Sequence, residues 1–326
     1  MCVMAIKYLP DYGWVGAKNR DRNYKPTIKI IQKVRDGVEV LYIRDSVTRY
    51  SEGINEYGVS ILNTATSVKN DESAAAAARH WERRKQKQEG TYNAPDGILM
   101  RRALSRETVK EAIAILIEGE MTGHTVVFDE EDCFILEGGR DEEDYKANKE
   151  ASKEDPEHEW TPMKFTYKLK KISKKDYVVR TNHGHFLPWL GYQSDDENEK
   201  MVLSRQSSDA RHETAIKNVA DVTLPGALLA AISDLSNEDS QLNPVRLGGY
   251  KSKSILKTTG QLMMVPKERR LVYRPIWCEM DQTTNINKID GQKTKTFLDL
   301  QSFIVPPNRK SFLEYVQWIE KTLPTD

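Results

Sequence analysis

Cys2-Val3-Met4-Ala5-Ile6-Lys7-Tyr8, a turn across Pro10 to Gly13, and Trp14-Val15-Gly16-Ala17-Lys18-Asn19-Arg20-Asp21 form the stretch from which the rest of the chain is read. Apolar side chains alternate along both arms, the period of a β-strand, and the interval between Pro10 and Gly13 is short enough to fold one arm back on the other. The spacing predicts a β-hairpin whose second arm returns beside the N-terminus. Asp21 then comes within reach of residue 2, where it could bind an amine or orient a thiol.

Residue 2 carries unusual chemistry if Met1 is removed, and removal is favoured by the small side chain that follows it. The product holds a thiol and a free α-amine on one residue. Their ordinary pKa values, about 8.5 and about 7.7 to 8.0, are close enough for the neutral amine to accept the thiol proton near neutral pH. An internal cysteine needs a separate base. A cysteine at position 2 is by itself only a small residue, and it is Lys18-Asn19-Arg20-Asp21 on the returning arm that turns the reading toward catalysis.

Outward from the hairpin, Thr27 to Val34 and Val38 to Arg44 read as strands joined by the tight turn Arg35-Asp36-Gly37. Gly53 to Thr64 reads as a glycine-punctuated turn running into a buried strand. Ala74 to Ala78 with Arg79 to Gln88 favours helix, and Ser105 with a capping-box acid nearby opens a second helix through about Ile117. Thr125 to Phe128 and Cys133 to Glu137 return to strand. Residues 139 to 158 are polar enough to predict a surface insertion. After the strand-like Tyr177 to Leu190 come a hydrophilic stretch, Ser194 to Lys200, and a helix from Asp209 to Val219. A hairpin follows at Gln261 to Val265 and Leu271 to Arg274, and an amphipathic helix closes the chain at Phe312 to Thr322. Blocks of strands alternating with blocks of helices predict an α+β layered fold, read as one domain over residues 1–326.

Composition narrows the function by exclusion. The 326 residues carry 49 basic and 49 acidic side chains, so no global field draws the chain to nucleic acid or to an anionic membrane. No run approaches the roughly 18 apolar residues of a membrane span, and the first two dozen residues lack a signal peptide's apolar core; both point to a cytoplasmic protein. Three scattered cysteines, Cys2, Cys133 and Cys278, make neither a disulfide framework nor a zinc ribbon. Cys133 and Cys278 sit in apolar contexts and read as buried thiols.

Met1-Cys2, then Gly16-Ala17-Lys18-Asn19-Arg20-Asp21, then Gly53-Ile54-Asn55-Glu56-Tyr57-Gly58-Val59 and Leu62-Asn63 resemble, in order and spacing, the group of cysteine N-terminal-nucleophile (Ntn) hydrolases formed by choloylglycine hydrolases, penicillin V acylases and isopenicillin acyltransferases. Val178-Val179-Arg180-Thr181-Asn182-His183 is similar to that group's Thr-Asn segment, and Ser207-Ser208-Asp209-Ala210-Arg211 to its Ser and Arg segment. The resemblance covers roughly residues 1 to 275. Asn19-Arg20-Asp21 also resembles the NRDE group of Met-Cys proteins, although residue 22 is Arg where that tetrapeptide has Glu; the downstream segments match the acylase group better.

The resemblance implies a four-layer αββα sandwich with Cys2 as nucleophile, Asp21 beside it, Asn182 donating to the tetrahedral oxyanion, Asn63 supplying a backbone donor or a substrate contact, and Arg211 ordering the surroundings. The group's arginine three places before the aspartate is Lys18 here, which keeps the charge but not the planar fork. The implied function is hydrolysis of a linear, non-peptide amide through a Cys2 thioester, without metal or cofactor. Its alternatives are an acyltransferase passing the acyl group to an amine, or an inactive Ntn-fold binding protein. The expected partner is a small-molecule amide, not nucleic acid or membrane, with a homo-oligomer left open. His183 and His185, two apart, have the spacing of a metal pair but no evident third ligand, and read instead as hydrogen-bonded or exposed histidines at the site rim. Arg79 to Lys87 mixes basic and aromatic residues as an anion-binding patch would, but its acids mark it as a solvated helix face.

Overall fold

A computed structural model describes residues 2–66, 95–155, 158, 161, 163–192, 199–234, 236, 242–245, 256–281 and 299–302. The hairpin is present: β1 (Val3–Leu9) and β2 (Gly13–Arg22) run antiparallel with Val3 opposite Asn19. Met4, Ile6 and Trp14 enter one apolar cluster while Val3, Ala5, Leu9, Val15 and Ala17 enter another. Alternation therefore buries the hairpin on both faces, which places it in the middle of a layered stack.

The remaining strands are β3 (Thr27–Arg35), β4 (Val38–Asp45), β5 (Ser51–Asn55), β6 (Ser60–Thr64), β7 (Gly123–Phe128), β8 (Cys133–Arg140), β9 (Phe165–Lys171), β10 (Tyr177–Arg180), β11 (Lys257–Val265), β12 (Arg270–Pro275), β13 (Glu279–Asp281) and β14 (Asp299–Ser302). Among the described residues they form a sheet ordered β10-β1-β2-β11-β12-β14 and a second ordered β13-β3-β4-β5-β6-β7-β8-β9. Neighbours are antiparallel except at β12/β14 and β3/β13. The β3–β4 turn closes through Asp36 and Gly37, both at positive φ (51° and 84°), the twist that a two-residue hairpin turn requires.

Three apolar clusters define the layers. One lies between the sheets and joins Met4, Ile6 and Trp14 to Leu41, Ile43, Leu62, Val126 and Phe128. A second covers the outer face of the first sheet with Ala215 and Val219 of α4 (Glu199–Val219) and Leu228 to Ala231 of α5 (Pro225–Ala231). The third packs Met100 and Ala103 of α1 (Pro95–Ala103) and Ala112, Ile113 and Leu116 of α2 (Val109–Glu118) on the outer face of the second sheet. The architecture is helix, sheet, sheet, helix: an αββα sandwich. The sheets meet closely at Gly16, where a Cβ would lie 2.5 Å from a ring carbon of Phe128, so a larger residue there forces the layers apart.

Several local expectations are corrected. In the glycine-punctuated 53 to 64 stretch the buried strand is present at Ser60–Thr64, but the turn narrows to Gly58 (φ 85°) and a further strand, Ser51–Asn55, precedes it. The helix assigned to Ser105 starts at Val109, because Thr108 is the N-cap with Glu111 completing the capping box; Ser105 instead bonds back to Arg102 O at the end of α1. Within the polar 139 to 158 stretch, α3 (Glu142–Glu154) forms, capped by Asp141 and supported by the Lys146–Glu142 pair. The strand foreseen over Tyr177 to Leu190 ends at Arg180, and only a bridge between His183 and Gly191 persists beyond it. The helix foreseen from Asp209 begins ten residues earlier. Met1, the Ala74 to Gln88 helix with its basic patch, the start of the Ser194 to Lys200 stretch and the closing helix at Phe312 to Thr322 lie outside the described residues. No helix among the described residues is long and apolar enough to cross a membrane.

Candidate active site

The two faces of β2 divide the polar residues of its second half. Lys18 and Arg20 meet Glu52 on the opposite sheet, and Arg22 meets Asp45, so these three side chains lie between the sheets. Asn19 bonds to the carbonyls of Ile232 and Pro244, and Asp21 pairs with Arg211, so both face the helical layer. Lys18 and Asp21 therefore sit on opposite faces, as does Arg20 from Asp21. A strand cannot direct positions i and i+3 to one side.

Cys2 precedes β1 and is buried, 6% exposed. Its backbone nitrogen donates to Asn182 Oδ1 at 2.7 Å. Burial pushes the Cys2 thiol up, but the Lys18 ammonium, the chain's terminal ammonium and the Arg22 guanidinium together outweigh it, and the thiol is held below its ordinary range. Cys133 and Cys278 behave oppositely, since burial raises both. Cys2 is thus electrostatically distinct among the three thiols.

Asn182 is fixed from three directions. Its backbone N–H donates to Ser208 Oγ at 3.1 Å, its Oδ1 accepts from Cys2, and its Nδ2 donates to Ala65 O. Ser208 comes from α4, where Ser208, Arg211, His212, Ala215 and Val219 recur at helical spacing and lie along the side facing β1 and β10. The same face delivers Arg211, whose Nη2 reaches Asp21 Oδ2 at 2.6 Å while its Nε and Nη2 also donate to the carbonyls of Asn243 and Pro244 at 3.0 Å. Thr258 donates to the other Asp21 oxygen at 2.8 Å. Asp21 is therefore engaged by an arginine and a threonine on the helical side.

Asn63, expected as a backbone donor or a substrate contact, is drawn into the protein's own hydrogen bonds. Its backbone N–H donates to Glu52 Oε1 at 3.1 Å and is not free for an oxyanion, while its carbonyl accepts from Lys18. Its side chain is held by Tyr50, Thr122 and Thr125. Asn63 thus anchors Lys18, and the centre of this arrangement is Glu52, which the sequence reading missed. Glu52 is fully buried and touches Lys18, Arg20 and Asn63; the two cations hold its carboxyl below the usual carboxylate range against the upward push of burial. No local feature of Ser51 to Leu62 sets Glu52 apart from Glu56 in the same stretch.

Of the two readings of His183 and His185, hydrogen-bonded or exposed, His183 takes the first: it is buried against Thr181 and Ser208. With His124 and His212 the two form a packed cluster, ring centroids 4.5 Å apart for His183/His185 and 4.7 Å for His185/His212. His183 Nδ1 lies 3.0 Å from Ser208 Oγ, His212 Nε2 donates to Val179 O at 3.1 Å, and His124 Nε2 donates to His183 O at 2.9 Å. Burial holds His183 and His212 down at about 4, and lowers His185 further. Among the described residues no group of three His, Cys, Asp or Glu has the geometry to hold a metal ion. The cluster lies directly behind Asn182 and its Ser208 support.

One face of the first sheet thus carries a buried thiol of lowered pKa with cations beside it, and the adjoining chain carries an amide that grips the nucleophile's nitrogen. No family model and no curated protein matches this sequence. Among solved structures, the chain is similar to penicillin V acylase from Agrobacterium tumefaciens, with a TM-score of 0.42 and 13% identity over 84% of this chain and 86% of that one.

Proposed function

We propose that this protein is an Ntn-type amide hydrolase in which Cys2, freed of Met1, attacks a linear amide and carries the acyl group as a thioester. The observation that supports this best is the 2.7 Å contact between the Cys2 nitrogen and Asn182 Oδ1, made at a thiol whose pKa is lowered. After excision of Met1 that nitrogen is an α-amine, and Asn182 orients it beside the sulfur it serves.

In this reading the thiolate attacks the carbonyl carbon and the oxyanion is met by the second N–H of Asn182 Nδ2, the first being taken by Ala65 O. Collapse breaks the C–N bond, the α-ammonium protonates the departing amine, and the neutral α-amine then takes a proton from the water that hydrolyses the thioester. Asp21 and Arg211 brace the end of β2 opposite Cys2, and Lys18, fixed by Glu52 and Asn63 O, keeps positive charge near the sulfur. The substrate class is a small-molecule amide.

The test combines intact mass with a panel of linear N-acyl amides. We expect a mass lacking Met1, acid and amine products in equal amounts, and an acyl hydroxamate when hydroxylamine is present. Cys2→Ala should abolish all turnover. A chain that retains Met1, or a Cys2→Ala variant as active as the parent, would overturn the reading. An acyltransferase would show itself by passing the acyl group to supplied amines in preference to water.

A further inference from the structure

The layer between the sheets at Cys2 holds an unbalanced set of charges. β2 contributes three cations, Lys18, Arg20 and Arg22, and the opposite sheet answers with two carboxylates, Glu52 and Asp45. Both carboxylates are committed. Glu52 binds Lys18 and the Asn63 N–H; Asp45 accepts from Arg22 Nε at 3.3 Å, from the Tyr24 hydroxyl at 2.8 Å, and from the backbone of Val47 and Thr48. Arg20 is 1% exposed, and beyond a 3.7 Å approach to Glu52 none of its three nitrogens has a hydrogen-bond partner among the described residues. A buried surplus of one positive charge is unfavourable unless a further anion completes the set.

The other titratable groups that face this layer do not supply that anion. Asp21 lies on the opposite face of β2 and is paired with Arg211. The Tyr24, Tyr50 and Tyr273 phenols and the Cys278 thiol stay protonated near neutral pH, because burial pushes Tyr24 up to about 12, Tyr50 and Tyr273 well above their usual value, and Cys278 up as well. The Asp96 carboxyl, near Tyr50, is itself pushed up by burial with no cation holding it down. Cys2 remains. Continuing the β1–β2 register one place beyond Val3/Asn19 sets Cys2 across from Arg20, with Lys18 and Arg22 as its diagonal neighbours on the same face. Arg22 is held in place by its Nε contact to Asp45 and by Nη1 donating to Asp21 O at 2.8 Å.

We propose that Cys2 rests as a thiolate, the sixth charge of this cluster, and that Arg22 is the positioning residue that keeps it ionised together with Lys18. The proposal rests on reading Cys2 as the nucleophile and deepens it: the side-chain cations of the fold act on the sulfur together with the terminal ammonium, and the cysteine's own amine need not take the thiol proton. The thiol proton is released to solvent before substrate arrives, and the α-amine stays protonated as the acid for the leaving amine. Across the cycle the ammonium loses its proton to the amine product and regains one from the attacking water, so the thiolate and the ammonium are both restored. The lowered Cys2 thiol agrees with this, Lys18 and Arg22 being the side-chain cations that lower it against burial.

The test is the pH dependence of Cys2 alkylation by iodoacetamide, read by mass mapping in the parent, Arg22→Gln and Arg22→Lys, with Cys133 and Cys278 as internal controls. The thiolate's ultraviolet absorbance during acid titration is followed in the same proteins, since it needs no reagent access. The parent Cys2 should titrate well below about 8.5, the ordinary thiol value. Arg22→Gln should move its inflection upward and slow labelling at pH 6 by about ten-fold, the effect of a shift of about one unit. Arg22→Lys should restore most of the loss. A parent Cys2 that titrates like an ordinary thiol, or an Arg22→Gln profile that overlays the parent, overturns the proposal. Should Arg22→Gln fail to fold, the parent profile and Arg22→Lys decide it. Low-pH ionisation of Cys2 in a protein that cleaves no amide would remove the hydrolase reading while leaving the thiolate in place.

Discussion

The nitrogen of Cys2 and the side-chain oxygen of Asn182 lie 2.7 Å apart across 180 residues of chain. Sheet pairing makes this possible: β10 lies against β1 with Arg180 opposite Met4, so the residues just past β10 reach the start of the hairpin. Asn182→Ala removes the acceptor for that nitrogen and the amide donor with it. We expect kcat on linear amides to fall about 100- to 1000-fold, the usual cost of one lost oxyanion donor, with KM changing much less. Steady-state kinetics on the purified variant checks this.

The Asp21–Arg211 pair is fully buried at 2.6 Å. Arg211→Met leaves the buried Asp21 carboxylate without its arginine partner, and should cost about 3–5 kcal/mol in urea denaturation. Asp21→Asn combined with Arg211→Met removes the stranded charge, so the double variant should be less destabilised than the sum of the two single ones.

The histidine cluster should make the fold acid-sensitive. His183 and His212, held at about 4 by burial, are neutral in the folded protein where an unfolded histidine, at about 6.5, takes up a proton. The unfolded state thus binds more protons between those values, so stability falls as pH drops from 6.5 to 4 and this contribution levels off below 4. Arg180, Arg205 and the other histidines oppose protonation of the cluster, while Asp209 favours it at His183 and His212. Replacing His183 and His212 by Gln should flatten the midpoint-versus-pH curve over that window, as read by thermal unfolding.

Glu137 holds the segment that carries two of those histidines. Its carboxylate accepts from the backbone N–H groups of His185, Phe186 and Leu187 at 2.9–3.0 Å and lies 3.2 Å from His124 Nδ1. Burial works against this charge, but His124 and these donors hold the carboxyl at about 2. The stabilisation is fully present above the ordinary carboxyl value and is lost as pH falls toward 2. Glu137→Ala leaves three backbone donors unpaired, that of Leu187 buried and those of His185 and Phe186 part-buried, and should cost on the order of 3 kcal/mol. Faster amide hydrogen exchange at residues 185 to 187 is the specific readout.

How far the site can be read from the sequence depends on the range of the interaction. Alternation of Val3, Ala5, Val15 and Ala17 with Met4, Ile6 and Trp14 is a period-two signal contained within twenty residues, and the helical recurrence of Ser208, Arg211 and Ala215 is equally local. Such signals are written in neighbouring side chains, so the hairpin, much of the strand set and the α+β class were legible there. Thr108 displaced Ser105 as a helix cap because a cap is selected by which hydroxyl meets the third N–H, a question of backbone geometry that composition does not answer.

The sequence by itself determined that Cys2 leads into a strand whose partner carries Lys18 to Asp21, because hydrophobic periodicity and a short turn leave that hairpin little alternative. Only the tertiary structure decided what those polar residues touch. Glu52 becomes the partner of Lys18 and Arg20, and four histidines become one packed cluster, because two sheets and a helix stack residues far apart in the chain. Strand alternation states which face a charge takes; layer packing alone chooses the group waiting there, and that choice sets whether a buried charge is paired or left over.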